Sequence, residues 1–343
     1  MQQGTTLFFG TLAIQPPLLL APMAGLTHSA LRTTILQCGG VGLLSTEMLS
    51  ASRLPAENEQ LSPYLIRTKE ERPLSYQLLI STELHIPKAM ERLHVIGADA
   101  VDLNLGCPAP QVRKAGGGAL LMEEPQLVRR IVAAARRYTC LPLSAKIRLG
   151  ETLNQEKLHS FCRMLEGEGI DLLTVHGRLR SEPFARKPHW DWITKVKEWV
   201  KIPVVANGSI DSVSSARTCL AITGADGLMI GRQAARAPWI FAAIARDLYQ
   251  ASLPEVSVSL PAVYRHFARA LADRFPPERQ LGRLKEFTHH FAKNYPFGHH
   301  LASQVQASST FNEAYERAAA FFLQHDPGTA AAAFRATSEN HFA

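Results

Sequence analysis

The chain has 343 residues, 46% of them hydrophobic, and carries 37 Lys and Arg against 30 Asp and Glu for a net charge of +7. That length holds one large domain plus a smaller one around a sizeable core. No window approaches the roughly 18 uninterrupted apolar residues that a membrane span needs, so a membrane protein is excluded as an expectation.

The first 31 residues contain no Lys or Arg, so the opening lacks the basic start of a signal peptide and a cytoplasmic protein is expected. Five cysteines, at 38, 107, 140, 162 and 219, form no CxxC pair and no Cys/His cluster. The reading is therefore no disulfide framework and no metal. The positive excess is compatible with an acidic partner such as RNA without demanding one. Nothing calls for an oligomer, and a monomer is expected.

Eight short apolar runs follow one another along the chain. They are LLLAPMA (18–24), GLLSTEM (42–48), LSYQLLI (74–80), AVDLNLGC (100–107), LPLSAKIRL (141–149), LLTVHGR (172–178), IPVVANG (202–208) and GLMIGR (227–232). Runs of this length suit strands buried on both faces of a parallel sheet. Segments of helical spacing separate them, such as TELHIPKAMERLHVIGA and EKLHSFCRMLEGEGI. Eight strands alternating with helices predict an α/β chain folded as a (β/α)8 TIM barrel over residues 1–250.

After residue 250 the strand signals stop. SLPEVSVSLPA reads as a linker, and residues 255–343 read as a C-terminal all-helical domain whose last ten or so residues fray.

Polar residues gather at the C-terminal ends of the strands: Met23, Glu47, Gln77, Asn104, Cys107, Lys146, Arg148, His176, Arg178, Asn207 and Arg232. In a barrel those ends converge on one mouth, where the active site is built. The loops after the last two strands carry Asn207-Gly208-Ser209 and Gly231-Arg232, glycines and a permanent cation where barrels often bind phosphate. The pair implies a phosphorylated ligand. Lys146 and Arg148 lie two residues apart, on one face of a strand. A cation there would support negative charge on a ring being reduced.

Cys107 follows NLG and precedes Pro108 and KAGGGALL. A thiol in that loop is a nucleophile or a proton donor, and the lack of an adjacent His or Asp favours donation. The glycines then read as a hinge rather than a phosphate cradle.

Taken together, APMAGLTHSALR, TEM, YQL, VDLNLGCP with GGGALL, KIRLG, HGR, VVANGSI and GADGLMIGR resemble the tRNA-dihydrouridine synthase family, in order and across the whole barrel. RLKEFTHHFAKNYP is similar to the family's helical tRNA-contacting domain. The resemblance implies an FMN enzyme that uses NADPH to reduce a D-loop uridine of tRNA. It implies Pro22, Met23, Ala24, Gln77, Lys146 and His176 against the flavin, with Asn207, Gly208, Ser209, Gly231 and Arg232 around its phosphate. Cys107 would be the catalytic acid, and Asn104, Arg148 and Arg178 would lie near the base. Arg283, Lys285 and Lys293 are the expected tRNA contacts of the helical domain. Ser209 departs from the family's frequent acidic residue, and Leu179 from its Thr.

Two rivals remain. One is a flavin barrel acting on a small dihydropyrimidine-like molecule, which would not need the helical domain. The other is an inactive tRNA-binding barrel, which would not need Cys107, Lys146 and His176 together.

Overall fold

A computed structural model describes residues 6–253 and 258–334. Residues 254–257 of the expected linker and the tail from 335 lie outside the described residues.

Two three-residue strands open the chain, β1 (Leu7–Phe9) and β2 (Leu12–Ile14), paired antiparallel. Eight strands then form one parallel sheet: β3 (Leu18–Leu20), β4 (Leu44–Ser50), β5 (Leu74–Leu79), β6 (Ala100–Leu105), β7 (Leu143–Ile147), β8 (Leu172–His176), β9 (Val204–Asn207) and β10 (Gly227–Ile230). Seven of the eight apolar runs contain one of these strands whole, and β4 extends two residues past the run at 42–48. β10 returns to pair with β3, and Leu19 bridges Leu43 just before β4. The sheet thereby closes into a barrel.

Alternation along the strands sorts the side chains. On β6 and β7, Val101, Leu103, Leu105, Leu143, Ala145 and Ile147 pack outward into the large core shared with the surrounding helices. Ala100, Leu172, Val205 and Met229 belong instead to a small second core with Leu7, Phe9 and Ile14. The β1–β2 hairpin therefore fills the barrel at the end opposite the mouth. Its strands are too short for a periodic signal, and the sequence reading did not find them.

Beyond residue 260 every described element is helical. Phe267 and Phe287 stack with centroids 3.7 Å apart, and Tyr264, Phe291 and Phe322 complete an aromatic core. This helical part is tied to the barrel by polar contacts. Arg274 donates to the Ser29 hydroxyl at 3.0 Å and the Thr33 hydroxyl at 2.8 Å. Asn294 donates to the Arg236 carbonyl at 2.6 Å, and Arg236 to the Lys293 carbonyl at 2.9 Å. Those bonds carry residues 290–294 to the rim of the barrel mouth. Among the described residues no helix is long and apolar enough to cross a membrane.

Candidate active site

Register puts the inward-facing polar residues in layers. Asp102 is level with Gln77 and Ser144, and one step nearer the mouth Asn104 is level with Lys146. His176 is level with Asn207. Above them opens a cavity of about 790 Å³, the size of a cofactor or drug-sized ligand site.

The floor of the cavity is a hydrogen-bonded chain of side chains. Ser144 Oγ donates to Asp102 Oδ1 at 2.6 Å, and Gln77 Nε2 donates to Asp102 Oδ2 at 2.6 Å. Asn104 Nδ2 donates to Gln77 Oε1 at 2.7 Å. Asn104 Oδ1 accepts from the backbone N–H of Cys107 at 3.0 Å and of Gly106 at 3.3 Å. Burial raises the Asp102 carboxyl above the usual range, opposed by these hydrogen bonds and by Lys146. Lys146 Nζ donates to Asn207 Oδ1 at 3.0 Å, while Asn207 Nδ2 donates to the Met229 carbonyl. Desolvation pushes the Lys146 ammonium down to about 8, and Asp102 resists that shift.

Arg178 organises the opposite wall. Its guanidinium is 1% exposed and donates to His176 Nε2 at 3.0 Å, to Ser209 Oγ at 2.7 Å and to the Phe184 carbonyl at 3.0 Å. It also donates twice to the Arg186 carbonyl. Arg148 donates to the Leu179 carbonyl at 2.7 Å. These bonds fold the segment after β8 over the mouth. Phe184 thereby stacks on His176 with rings 14° from parallel, while the guanidiniums of Arg232 and Arg148 lie 4.3 and 5.5 Å from its centroid. The His176 ring stays neutral, because burial and the cations Lys146, Arg148, Arg178 and Arg232 all lower its pKa.

Cys107 lies at the edge of the cavity, half-buried, within electrostatic range of Lys146 and Arg148. The glycines after it are not a free hinge. Gly118 has φ +66, and a Cβ there would lie 2.4 Å from the Cys107 carbonyl oxygen. Ala119 N donates to that same carbonyl at 3.0 Å. Close packing against the cysteine, not loop mobility, accounts for the glycine.

Of the residues singled out from the sequence, Pro22, Met23, Ala24, Gln77, Asn104, Cys107, Lys146, Arg148, His176, Arg178, Asn207, Gly208, Ser209, Gly231, Arg232 and Lys293 all line this one cavity. Arg283 and Lys285 do not. Arg283 packs over the Phe275 ring at 4.8 Å, with its Nε buried and unpartnered, and Lys285 lies on the same helix near Glu313. Glu47 is buried behind the mouth, where its Oε2 accepts from Gly25 N at 2.5 Å. Sequence reading missed Phe184, Arg236 and His290, which also line the cavity. It missed Asp102 as well, although the alternation Ala100, Asp102, Asn104 marks it as inward-facing. Among the described residues no group of three or more His, Cys, Asp or Glu could hold a metal.

A closed parallel (β/α)8 barrel with its polar groups at the strand C-termini defines the class, and solved structures share it at the level of fold. The old yellow enzyme homologue from Zymomonas mobilis matches with a TM-score of 0.52 at 12% identity, covering 72% of this chain and 92% of that one. A 2-naphthoyl-CoA reductase matches with a TM-score of 0.53 at 12% identity, covering 71% of this chain and 52% of that one.

The chain belongs to the dihydrouridine synthase family, whose model, Dihydrouridine synthase (Dus), matches residues 19–325. Among similar relatives, a tRNA-dihydrouridine(16) synthase of Aquipseudomonas alcaligenes is 33% identical over 84% of this chain and 94% of its own. A probable tRNA-dihydrouridine synthase of Rickettsia conorii is 33% identical over 76% of this chain and 80% of its own. A tRNA-dihydrouridine synthase B of Pseudomonas syringae is 35% identical over 68% of each chain.

Proposed function

We propose that this protein reduces a uridine in the D-loop of tRNA to 5,6-dihydrouridine, with FMN as cofactor and NADPH as electron donor. The observation that carries the reading is the placement of Cys107 beside an amide- and cation-lined cavity whose rim includes His290 and Lys293 of the helical part. A small-molecule reductase has no use for that rim, and an inactive barrel has no use for the amide chain beneath it.

The lining fits a phosphorylated flavin. Arg232, Gly231, Gly208 and Ser209 sit on neighbouring loops after β9 and β10, suited to a phosphate. Gly208 has φ +120, and a Cβ there would lie 2.9 Å from the His176 ring. Glycine thus lets that loop lie flush against the histidine and leaves its backbone open to an anion. Lys146 and the neutral His176 would face the ring system, with Gln77 hydrogen-bonding its edge and Pro22, Met23 and Ala24 covering a side. When bound there, the flavin would supply the hydride for C6 of the uracil.

The chain's own residues supply the rest. Cys107 donates a proton to C5 as general acid. Lys146 would stabilise negative charge on a bound ring as it is reduced, and Asn104 and Arg148 would hold the base. A stacked, paired uridine cannot reach this depth, so the target base is flipped out of the tRNA fold. Phosphate contacts at the rim, with Lys293 among them, hold the remainder by shape and charge. The protein acts as a cytoplasmic monomer.

The test is mass spectrometry of tRNA from a strain lacking the gene, followed by restoration with purified holoprotein and NADPH. Loss and return of dihydrouridine at one D-loop position supports the reading and identifies that position. Unchanged dihydrouridine, or a protein that takes up no flavin, overturns it. Relatives named for position 16 and one named synthase B match at similar identity, so the experiment must read the position.

A further inference from the structure

We propose that Asp102 is a positioning residue for Cys107, acting through Gln77 and Asn104. The inference rests on the role assigned to Cys107 above.

Each end of this chain of hydrogen bonds can act in one way only. A carboxylate only accepts hydrogen bonds, and a backbone N–H only donates. Asp102 accepts at both oxygens, from Ser144 and from Gln77. The Gln77 amide therefore turns its nitrogen down to Asp102 and its oxygen up to Asn104. Asn104 must then present Nδ2 to Gln77, which leaves Oδ1 for the N–H groups of Cys107 and Gly106. Reading back from Cys107 gives the same orientation, because two donors at that end require the Asn104 oxygen. Asp102 and the Cys107 backbone thus hold two intervening amides in a single polarity.

Either amide alone is almost symmetric in shape and could settle either way round. Asp102, Gln77 and Asn104 are each at most 5% exposed, so water does not compete for these bonds. The carboxylate does not line the cavity, yet with the backbone N–H groups of Cys107 and Gly106 it holds Asn104 Oδ1 on the turn that carries the thiol. It also leaves one N–H on each amide unspent and near the cavity.

Asp102→Asn is the test, because an amide at 102 can donate as well as accept and so removes the constraint with little change in volume. Two readouts are taken on holoprotein: single-turnover formation of dihydrouridine by prereduced enzyme, and the rate of Cys107 alkylation by iodoacetamide followed by mass spectrometry. Each is measured in wild type, Asp102→Asn, Asn104→Ala and the double variant, since a shared pathway makes the effects non-additive. The turnover rate should fall about 10-fold or more in Asp102→Asn, since a small misplacement of a catalytic group by a change away from the chemistry can cost up to about 100-fold, and the alkylation rate should shift by about threefold or more. On the Asn104→Ala background the Asp102 change should add less than about twofold to either.

Wild-type rates in Asp102→Asn, or effects that multiply in the double variant, overturn the proposal. If Asp102→Asn does not fold, Ser144→Ala, which removes the hydrogen bond to one oxygen of the same carboxylate, enters the same cycle. A slowing of about threefold that vanishes on the Asn104→Ala background supports the relay; one that persists overturns it. Wild-type enzyme that makes no dihydrouridine overturns the function instead, and the alkylation cycle still decides the relay.

Discussion

Arg178 donates to His176 Nε2 at 3.0 Å. A guanidinium has no acceptor to offer, so Nε2 carries the lone pair and Nδ1 carries the proton. The neighbouring cations and burial keep the ring in that neutral form. The same guanidinium holds the segment that bears Phe184, so the tautomer of His176 and the roof of the cavity have one cause.

Arg178→Ala should therefore cost stability as well as activity. It strips donors from the Phe184 and Arg186 carbonyls and from Ser209 Oγ. A loss of about 2–4 kcal/mol in urea unfolding is expected, since hydrogen bonds to a charged, buried group are worth about 1.5–3 kcal/mol each and are only partly replaced by water. Arg178→Lys, keeping charge but not the fork, should recover less than half of it. A variant as stable as wild type would show that the segment holds itself.

Cys107→Ala should lower dihydrouridine formation by about 100-fold or more, the usual worth of a general acid, while flavin stays bound and NADPH still reduces it. Stopped-flow absorbance separates the two half-reactions. Undiminished transfer to tRNA removes Cys107 as the acid.

Gly118→Ala should disable the same cysteine without touching the thiol. The added Cβ would meet the Cys107 carbonyl at 2.4 Å in a backbone conformation with φ +66. A stability loss of about 1–3 kcal/mol is expected, together with a slower reaction with tRNA. A fully active, equally stable variant would restore the hinge reading of the glycine run.

Lys146 gives the site a pH dependence of defined sign. Its ammonium titrates at about 8 in the folded protein, against an ordinary 10.5, because burial disfavours the charge. With no anion bound, that burial penalty is fully present below about 8 and is relieved as pH rises from about 8 to 10.5, where the unfolded chain binds more protons. An anionic ligand favours the charged form, so flavin affinity should weaken as pH climbs through 8, and binding there should take up protons. Fluorescence titration of apoprotein from pH 7 to 9.5 measures this. In Lys146→Met the slope should disappear; a slope that persists assigns the titration elsewhere.

The helical part separates two kinds of basic residue. Lys293 is exposed at the rim, whereas Arg283 is spent over Phe275. Lys293→Ala should weaken tRNA binding and reduce the log–log salt slope by about one. Arg283→Ala should leave that slope unchanged and lower the thermal midpoint instead. The opposite pattern would make Arg283 the phosphate contact.

The contrast between these two residues marks how far sequence could reach. The eight barrel strands and the mouth were legible because most apolar runs carry a polar residue near their C-terminal end, and topology alone brings such ends together. Met23, Gln77, Lys146, His176 and Arg232 needed no side-chain detail to be gathered. Arg283 does not line the cavity while Lys293 does, and on a helix of mixed composition the sequence does not say which cations reach that rim. Phe184 sits in an aperiodic loop and gains its place only through Arg178. Asp102 escaped because it lies one layer below the strand ends, in the middle of β6. The hairpin at Leu7–Ile14 escaped because three residues per strand leave no period to detect.

That hairpin also governs traffic. With Leu7, Phe9 and Ile14 stoppering one end of the barrel, the cavity opens at the other, where the strands end. On the function proposed above, electron donor and tRNA would both reach the site from that end, opposite the hairpin.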